Sequence, residues 1–159
     1  MVGPIIGISR FIAIRRNAST LGTEIMPLSR ISSAVVVADA QEPQCQEALA
    51  QAERFFLSMG IPVKLLFVRK ENLDLLGRLK RKIRFDGGKQ TSEDLLICLT
   101  SNPSFAFRYE AVCSKSRFKI GRIQLRKDLF DVVFGTPEGK VSGQAEVFEE
   151  IAEFLKKIK

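Results

Sequence analysis

The feature that most constrains this chain is a short apolar run closed by a capped turn. Residues 95–99 read LLICL, and Thr-Ser-Asn-Pro follows them directly. A run this short, with no polar alternation, is typical of a strand covered on both faces, as in a parallel sheet. Asn102 suits an N-cap and Pro103 suits the first position of a helix, so we expect a helix to begin there. The stretch therefore predicts a strand, a turn and a helix, the repeating unit of α/β folds.

A basic segment follows this helix. In residues 115–122, Phe118 and Ile120 alternate with charged residues, which predicts a strand with one buried face. A last strand is expected at residues 129–134. The link between the two strands is too short for a helix, so they form either an antiparallel neighbouring pair or a pair separated by an unusual crossover.

These residues resemble an uncharacterised domain family of Bacteroidetes, whose motif runs D-L-L-I-N-L and, after a helix, S-K-A-x-F-K-V-G-R. The chain departs from it at Cys98, where Asn is usual, and at Ser116, where Ala is usual. The resemblance implies a bacterial domain from Ser33 to the C-terminus and no particular activity. The matching positions are 94–97, Leu99, Ser114, Lys115 and 118–122.

The same unit is more faintly similar to part of the N-terminal domain of heptosyltransferase-like enzymes. Those enzymes need a second Rossmann-like domain to bind the nucleotide sugar, and we expect this chain to have no room for one.

The first half of the chain reads as a βαβ unit. Residues 34–38 and 63–68 predict strands, and between them an amphipathic helix begins at Pro43 and ends at Gly60. Another helix is expected after Ser142. We predict a three-layer α/β/α domain at residues 33–159, Rossmann-like or flavodoxin-like. Its largely parallel sheet has about five strands in the order 2-1-3-4-5, and residues 1–32 form a basic N-terminal arm or extension.

Charge suggests one kind of partner. The chain has 25 Lys and Arg against 18 Asp and Glu, a net charge of +7. A basic surface of this kind could contact RNA, the ribosome or an acidic protein. Helical spacing at residues 71–90 leaves two alternatives open, a polyanion patch or a solvated helix face before a loop. The candidate polyanion-binding residues are Arg15, Arg16, Arg78, Lys80, Arg81, Lys82, Arg84, Lys115, Arg117, Lys119 and Arg122.

A second candidate site lies where the predicted strands end. Open α/β sheets bind ligands at the carboxyl ends of their strands, which is where Asp39 and the residues Thr100, Ser101 and Asn102 fall, with Gly135 nearby. Asp39 could instead cap the next turn, and the loop after it has no glycine to admit a phosphate. Residues 135–142 look like a phosphate-binding loop, but the glycine spacing and the Lys-Ser spacing are wrong.

The lack of histidine and the spacing of the cysteines limit the reactions that this chain could catalyse. The chain has no histidine, which removes the commonest general base and the Ser-His and Cys-His nucleophile pairs. Its three cysteines are far apart, so we expect reduced core residues of a cytoplasmic protein, with no metal, cofactor or membrane span.

Three functional hypotheses remain from the sequence. The first is a non-catalytic module that docks on a polyanion or a protein through its basic surface. The second is a small-molecule or nucleotide-binding protein, possibly an enzyme, with its ligand at the strand ends. The third is a degenerate transferase-like domain that acts as a scaffold.

Overall fold

Five parallel strands form one sheet in the order β2-β1-β3-β4-β5, as predicted. The computed structural model describes residues 4–19, 22–80, 83, 93–135 and 142–158. Within these residues the helices are α1 (Pro4–Asn17), α2 (Cys45–Ser58), α3 (Phe105–Cys113) and α4 (Gln144–Lys157). The strands are β1 (Ala34–Asp39), β2 (Val63–Val68), β3 (Leu95–Cys98), β4 (Phe118–Gly121) and β5 (Val132–Val133).

Helices cover both faces of the sheet, so the fold is the three-layer α/β domain that the sequence predicts. Alternate residues of β1 face opposite ways: Val36 packs with the core of α2 and α4, whereas Val35 and Val37 pack with that of α3. α1 lies on the α3 side, where Ala13 packs with Phe105 of α3. The α1 side and the α2–α4 side are therefore opposite faces of the molecule.

The strand that follows α3 is more buried than predicted. All four residues of β4 are buried, although the alternation of charges suggested a strand with one buried face. Lys119 and Arg122, assigned above to a basic surface, are 4% and 5% exposed. That assignment is wrong for these two residues, because their cationic groups bond to atoms inside the domain.

The strands β4 and β5 are neighbours and parallel, so the antiparallel alternative is wrong. Phe130, in the helix-free connection, packs on the sheet and lies directly over Gly121. The side chain of Gln124 bonds to both the backbone N–H and the carbonyl of Phe130, at 3.1 and 3.2 Å. The last strand is shorter than the predicted 129–134 because this connection occupies the residues before it.

Three helices begin later than predicted. Thr100 accepts the backbone N–H of Asn102 at 2.9 Å, and α3 begins at Phe105 with Ser104 as its N-cap residue. Gln44 has a left-handed backbone (φ 66°), so α2 begins at Cys45 and not at Pro43. The N-cap of α4 is Gly143, one residue after Ser142.

The helical spacing after residue 71 is misleading. Residues 70–72 form a single 3-10 turn, and Leu73 then pairs with Leu79 in an antiparallel bridge. The carboxylate of Asp74 accepts the backbone N–H of Leu76 and of Arg78, both at 3.0 Å. These bonds hold a turn in place of a helix. Arg81, Lys82, Arg84 and the turn predicted at 86–88 lie outside the described residues.

Candidate functional site

The carboxyl ends of β1 and β3 carry a buried polar network. The carboxylate of Asp39 accepts the backbone N–H of Gln41 at 2.9 Å and the hydroxyl of Thr100 at 3.2 Å. Burial raises the pKa of the Asp39 carboxyl; the Gln41 bond opposes the rise, nearby Glu42 adds to it, and the Thr100 bond opposes it. Asp39 therefore does cap the next turn, as the simpler interpretation of its position predicts.

Gln144 and Arg122 close this network from the other side. The buried amide of Gln144 bonds to both the backbone N–H and the carbonyl of Asp39, each at 2.8 Å. Arg122 donates to the Glu42 carboxylate and the Leu99 carbonyl, both at 3.3 Å. It also donates to the Ser142 carbonyl at 3.1 Å. The chain's own side chains thus fill the α4 side of this edge of the sheet.

Of the four candidate residues at the strand ends, Thr100 and Ser101 bond to neighbouring carboxylates, whereas Asp39 and Asn102 line a cleft. Ser101 bonds to Glu42 through its N–H and its hydroxyl, at 2.9 and 2.5 Å, and Thr100 faces Asp39. Asp39 and Asn102 line a small cleft of about 210 Å³ on the α3 side, which Arg10 also lines. Arg69 and Lys70 of the loop after β2 line this cleft as well. Gly135 is exposed, and residues 136–141 lie outside the described residues.

A second region, beside α1, gathers arginines from three parts of the chain. A cleft of about 620 Å³ separates α1 from α3 and from the β4–β5 connection. Its walls are apolar, with Phe11, Ile14, Val112 and Leu125. Its arginines are Arg10, Arg15, Arg108 and Arg126.

On its other side, α1 borders a cleft of about 430 Å³ lined by Arg16 and Arg78. None of the residues that line these two clefts, in the part of the chain that the structure describes, is acidic. We call Arg10, Arg15, Arg16, Arg108 and Arg126 the arginine face.

Arg10 of α1 and Arg78 of the 73–80 turn also form hydrogen bonds within the domain. Arg10 donates to the Leu76 carbonyl at 2.7 Å and lies 4.6 Å from the centre of the Phe105 ring. Arg78 pairs with Asp74 at 2.9 Å and donates to the Tyr109 hydroxyl at 3.3 Å. Both therefore help to fix α1 and the 73–80 turn against α3.

The remaining predicted polyanion residues are scattered. Lys115 and Arg117 are exposed beyond the end of α3, and Lys80 is half-buried. The backbone after α1 runs past the same end of α3, since Ser19 donates to Val112 and Glu24 to Arg117, at 3.0 and 2.7 Å. Lys115 and Arg117 thus lie near the chain that leaves α1 but line neither cleft of the arginine face, whereas Lys119 and Arg122 bond to groups in the interior.

Arg108 and Arg126 are not among the residues that the sequence pattern predicted for this site. Arg108 is the exposed residue between two buried aromatic residues of α3, Phe107 and Tyr109, so its solvent-facing position was readable from helical spacing. Arg126 lies in an irregular connection, and no local pattern links it to α1. The meeting of these arginines is a result of tertiary structure.

The cysteines and acidic residues of the described part of the chain form no metal-ion cluster, since no group of three or more of them is placed to hold a metal ion. Cys45, Cys98 and Cys113 are buried and not in disulfides, and burial raises the pKa of Cys98 to about 12. No helix in the described part of the chain is long and apolar enough to cross a membrane.

Fold and site together define a three-layer α/β domain whose strand edge is filled on the α4 side and which has an arginine-rich face. A family of unknown function (DUF6913) matches residues 62–158, which is more than half of the chain, so the protein belongs to that family. No curated protein and no solved structure was found to be similar to the chain.

Proposed function

We propose that the protein is a non-catalytic binding module that docks on a phosphate-bearing polyanion through its arginine face. The observation that carries the proposal is the convergence of arginines from α1, α3 and the β4–β5 connection around clefts that no acidic side chain of the described residues lines. Guanidinium groups bind phosphate oxygens in pairs of parallel hydrogen bonds, so arginine is well suited to this contact.

The alternative of a ligand at the strand ends has weaker support. The polar groups of that edge bond mainly to one another, and Arg122 and Gln144 occupy the α4 side. The adjoining cleft of about 210 Å³ is smaller than the roughly 300–1,000 Å³ of typical ligand pockets. The transferase-like scaffold hypothesis needs a broad exposed apolar face, whereas the apolar side chains exposed on α1 supply only a fraction of the roughly 800 Å² that a stable protein interface takes from each partner.

The proposal predicts that three arginines control the salt dependence of binding. We expect the R15Q/R108Q/R126Q variant to bind a single-stranded RNA oligonucleotide more weakly and to elute earlier from heparin. Each lost phosphate contact removes about 0.7 from the slope of log affinity against log salt, so the slope should fall by roughly 2. Fluorescence anisotropy over a series of salt concentrations measures it.

The matched control removes three positive charges from the opposite face. Arg54 of α2 and Lys156 and Lys157 of α4 are exposed, and R54Q/K156Q/K157Q changes the net charge by the same amount. We expect this variant to retain most of the wild-type slope. Equal losses in the two variants would show that net charge, and not the arginine face, governs binding, and the proposal would then be wrong.

A further inference from the structure

The outward side of α1 is apolar, although it faces solvent. Ile8, Phe11 and Ile12 are 62%, 60% and 49% exposed. Residues three and four apart are neighbours on a helix, so these side chains form one continuous strip. The inward side of the helix carries Ala13 and Ile14, which pack on the α3 cluster. α1 is thus held to the domain by one side and presents apolar side chains on the other.

The same strip ends in positive charge. Arg15 lies one turn after Phe11 and Ile12, with its guanidinium 5.7 Å from the centre of the Phe11 ring. Arg16 follows it, and α1 contains no acidic residue. The cleft that Phe11 and Arg15 also line extends the pattern, because its remaining walls are apolar and it adds arginines from α3 and the β4–β5 connection. The membrane affinity of a helix that lies on a bilayer scales with the apolar area that it buries and with its attraction to anionic lipids, and the strip and its arginines supply both.

We infer that the polyanion is the headgroup layer of an anionic lipid bilayer, with α1 lying in the interface. This inference rests on the proposed function and names its partner. Ile8, Phe11 and Ile12 enter the boundary between headgroups and acyl chains. The arginine face binds the lipid phosphates around them.

The apolar strip favours lipid over the other polyanions. RNA phosphates bind cations, and RNA bases stack on aromatic rings. Neither contact would bury the exposed side chains of Ile8 and Ile12. A stable protein–protein interface takes about 800 Å² from each partner, of which three side chains on a convex helix supply a fraction. A bilayer is fluid, so it needs no surface shaped to fit α1. Its acyl chains and phosphates lie at adjoining depths, as do the apolar side chains and the arginines.

The absence of tryptophan from the chain gives a direct test. Phe11→Trp places a lone tryptophan on the strip, and Leu57→Trp places one on α2, on the opposite face. The two native side chains are equally exposed, at 60% and 62%. We expect vesicles of phosphatidylcholine and phosphatidylglycerol to shift the emission of F11W to shorter wavelength and to leave that of L57W unchanged. Vesicles of phosphatidylcholine alone should shift neither.

Two further variants separate insertion from charge. I8S/I12S changes exposed side chains, and circular dichroism checks that it stays folded. It should lose most of its co-sedimentation with the mixed vesicles and keep its elution position on heparin. R15Q/R108Q/R126Q should lose both, with vesicle binding reduced roughly a hundredfold, because each arginine near an anionic surface contributes about fivefold.

The possible results distinguish this inference from the function on which it rests. Salt-dependent binding of RNA and heparin without vesicle binding would overturn the lipid assignment and leave the polyanion proposal standing. Vesicle binding with no shift in F11W would overturn the insertion of α1. A shift that grows with protein concentration in the absence of lipid would show self-association of the strip instead. Failure to bind heparin, RNA and vesicles alike would overturn both proposals.

Discussion

The amine of Lys119 lies 2.7 Å from the carbonyl oxygen of Ala111, in the last turn of α3. The last carbonyls of a helix have no partner within the helix and carry its negative dipole end, so a cation there is favourable. Burial lowers the pKa of the Lys119 amine below its usual range, and the nearby carboxylate of Asp131 opposes that shift. A residue of a basic run thus serves as an internal cap.

This lowered pKa makes the stability of the fold depend on pH. The unfolded chain keeps the Lys119 proton up to an ordinary pKa of about 10.4, whereas the folded protein releases it at lower pH. In that interval the unfolded state binds more protons, so the free energy of unfolding rises with pH. The contribution of Lys119 to stability is fully present above the ordinary pKa, and it is lost as the pH falls through the folded pKa.

We therefore expect K119M to lack this rise. Urea denaturation from neutral pH to about pH 10 should show the wild type gaining stability relative to K119M as the pH increases. The control is K115M, the same substitution at an exposed position. The K115M variant keeps Lys119, so it should keep the rise in stability with pH. Parallel curves for K119M and the wild type would contradict a buried, titrating amine.

At the scale of elements, local sequence determined more of the sheet than of its connections. The β-branched and apolar runs at 34–38, 63–68 and 95–99 predicted three strands, and the helical pattern between the first two predicted that those two are parallel. These patterns suffice because burial on both faces leaves few other arrangements for an apolar run. The helix starts were less predictable, since side chains such as Thr100 compete for the same backbone N–H groups.

The basic segment and the 73–80 turn show that hydrogen-bond partners elsewhere in the chain can override a local sequence pattern. Alternation at residues 118–120 predicted a solvent-facing side for β4, but the carbonyl of Ala111 was available to receive Lys119. Helical spacing around Leu76 and Leu79 was overridden by the bonds to Asp74. Both outcomes depend on partners that the sequence pattern does not reveal. The arginine face depends in the same way on the packing of α1 against α3.

The β4–β5 connection leaves no room for a side chain at Gly121, and a substitution can test this. A Cβ atom on Gly121 would lie 2.6 Å from two carbons of the Phe130 ring, well inside van der Waals contact. The ring cannot move away easily, because Gln124 holds the backbone of Phe130 on both sides. Overpacking of a filled core costs about 1–3 kcal/mol, so we expect Gly121→Ala to lower the free energy of unfolding by that amount.

Urea denaturation monitored by circular dichroism measures this cost. Gly135→Ala is the control, since no heavy atom of the described residues beyond its chain neighbours lies within 4 Å of the Cβ it would add. It should change the free energy of unfolding by less than about 0.5 kcal/mol, as exposed substitutions usually do. Equal stabilities for the two variants would show that the contact between Gly121 and Phe130 is not tight.

Among the described residues, acidic and basic side chains are distributed unevenly between the two faces of the sheet. The arginine face lies on the α1 side of the sheet. On the opposite side, the exposed surface of α4 carries Glu146, Glu149, Glu150 and Glu153 around a shallow cleft. A surface with separated charges orients the protein as it approaches an anionic partner, so that the arginines arrive first. The net charge of +7 therefore understates the positive charge that such a partner meets.

This polarity predicts that adding positive charge to the wrong face has little effect. The variant E149Q/E150Q/E153Q raises the net charge by three, as much as R15Q/R108Q/R126Q lowers it. At an ionic strength of 0.1 M the Debye length is about 10 Å, so charges on α4 are largely screened from a ligand bound at α1. We expect the glutamate variant to bind RNA and mixed vesicles within about twofold of the wild type.

Measurement at two ionic strengths sharpens the comparison. At 0.01 M the Debye length is about 30 Å, the scale of a small domain, and the glutamate variant should then bind more tightly than the wild type. At 0.15 M that gain should disappear, while the loss in the arginine variant persists because its contacts are direct. If the two variants changed affinity by equal and opposite amounts at 0.15 M, binding would follow net charge, and the arginine face would have no special part in it.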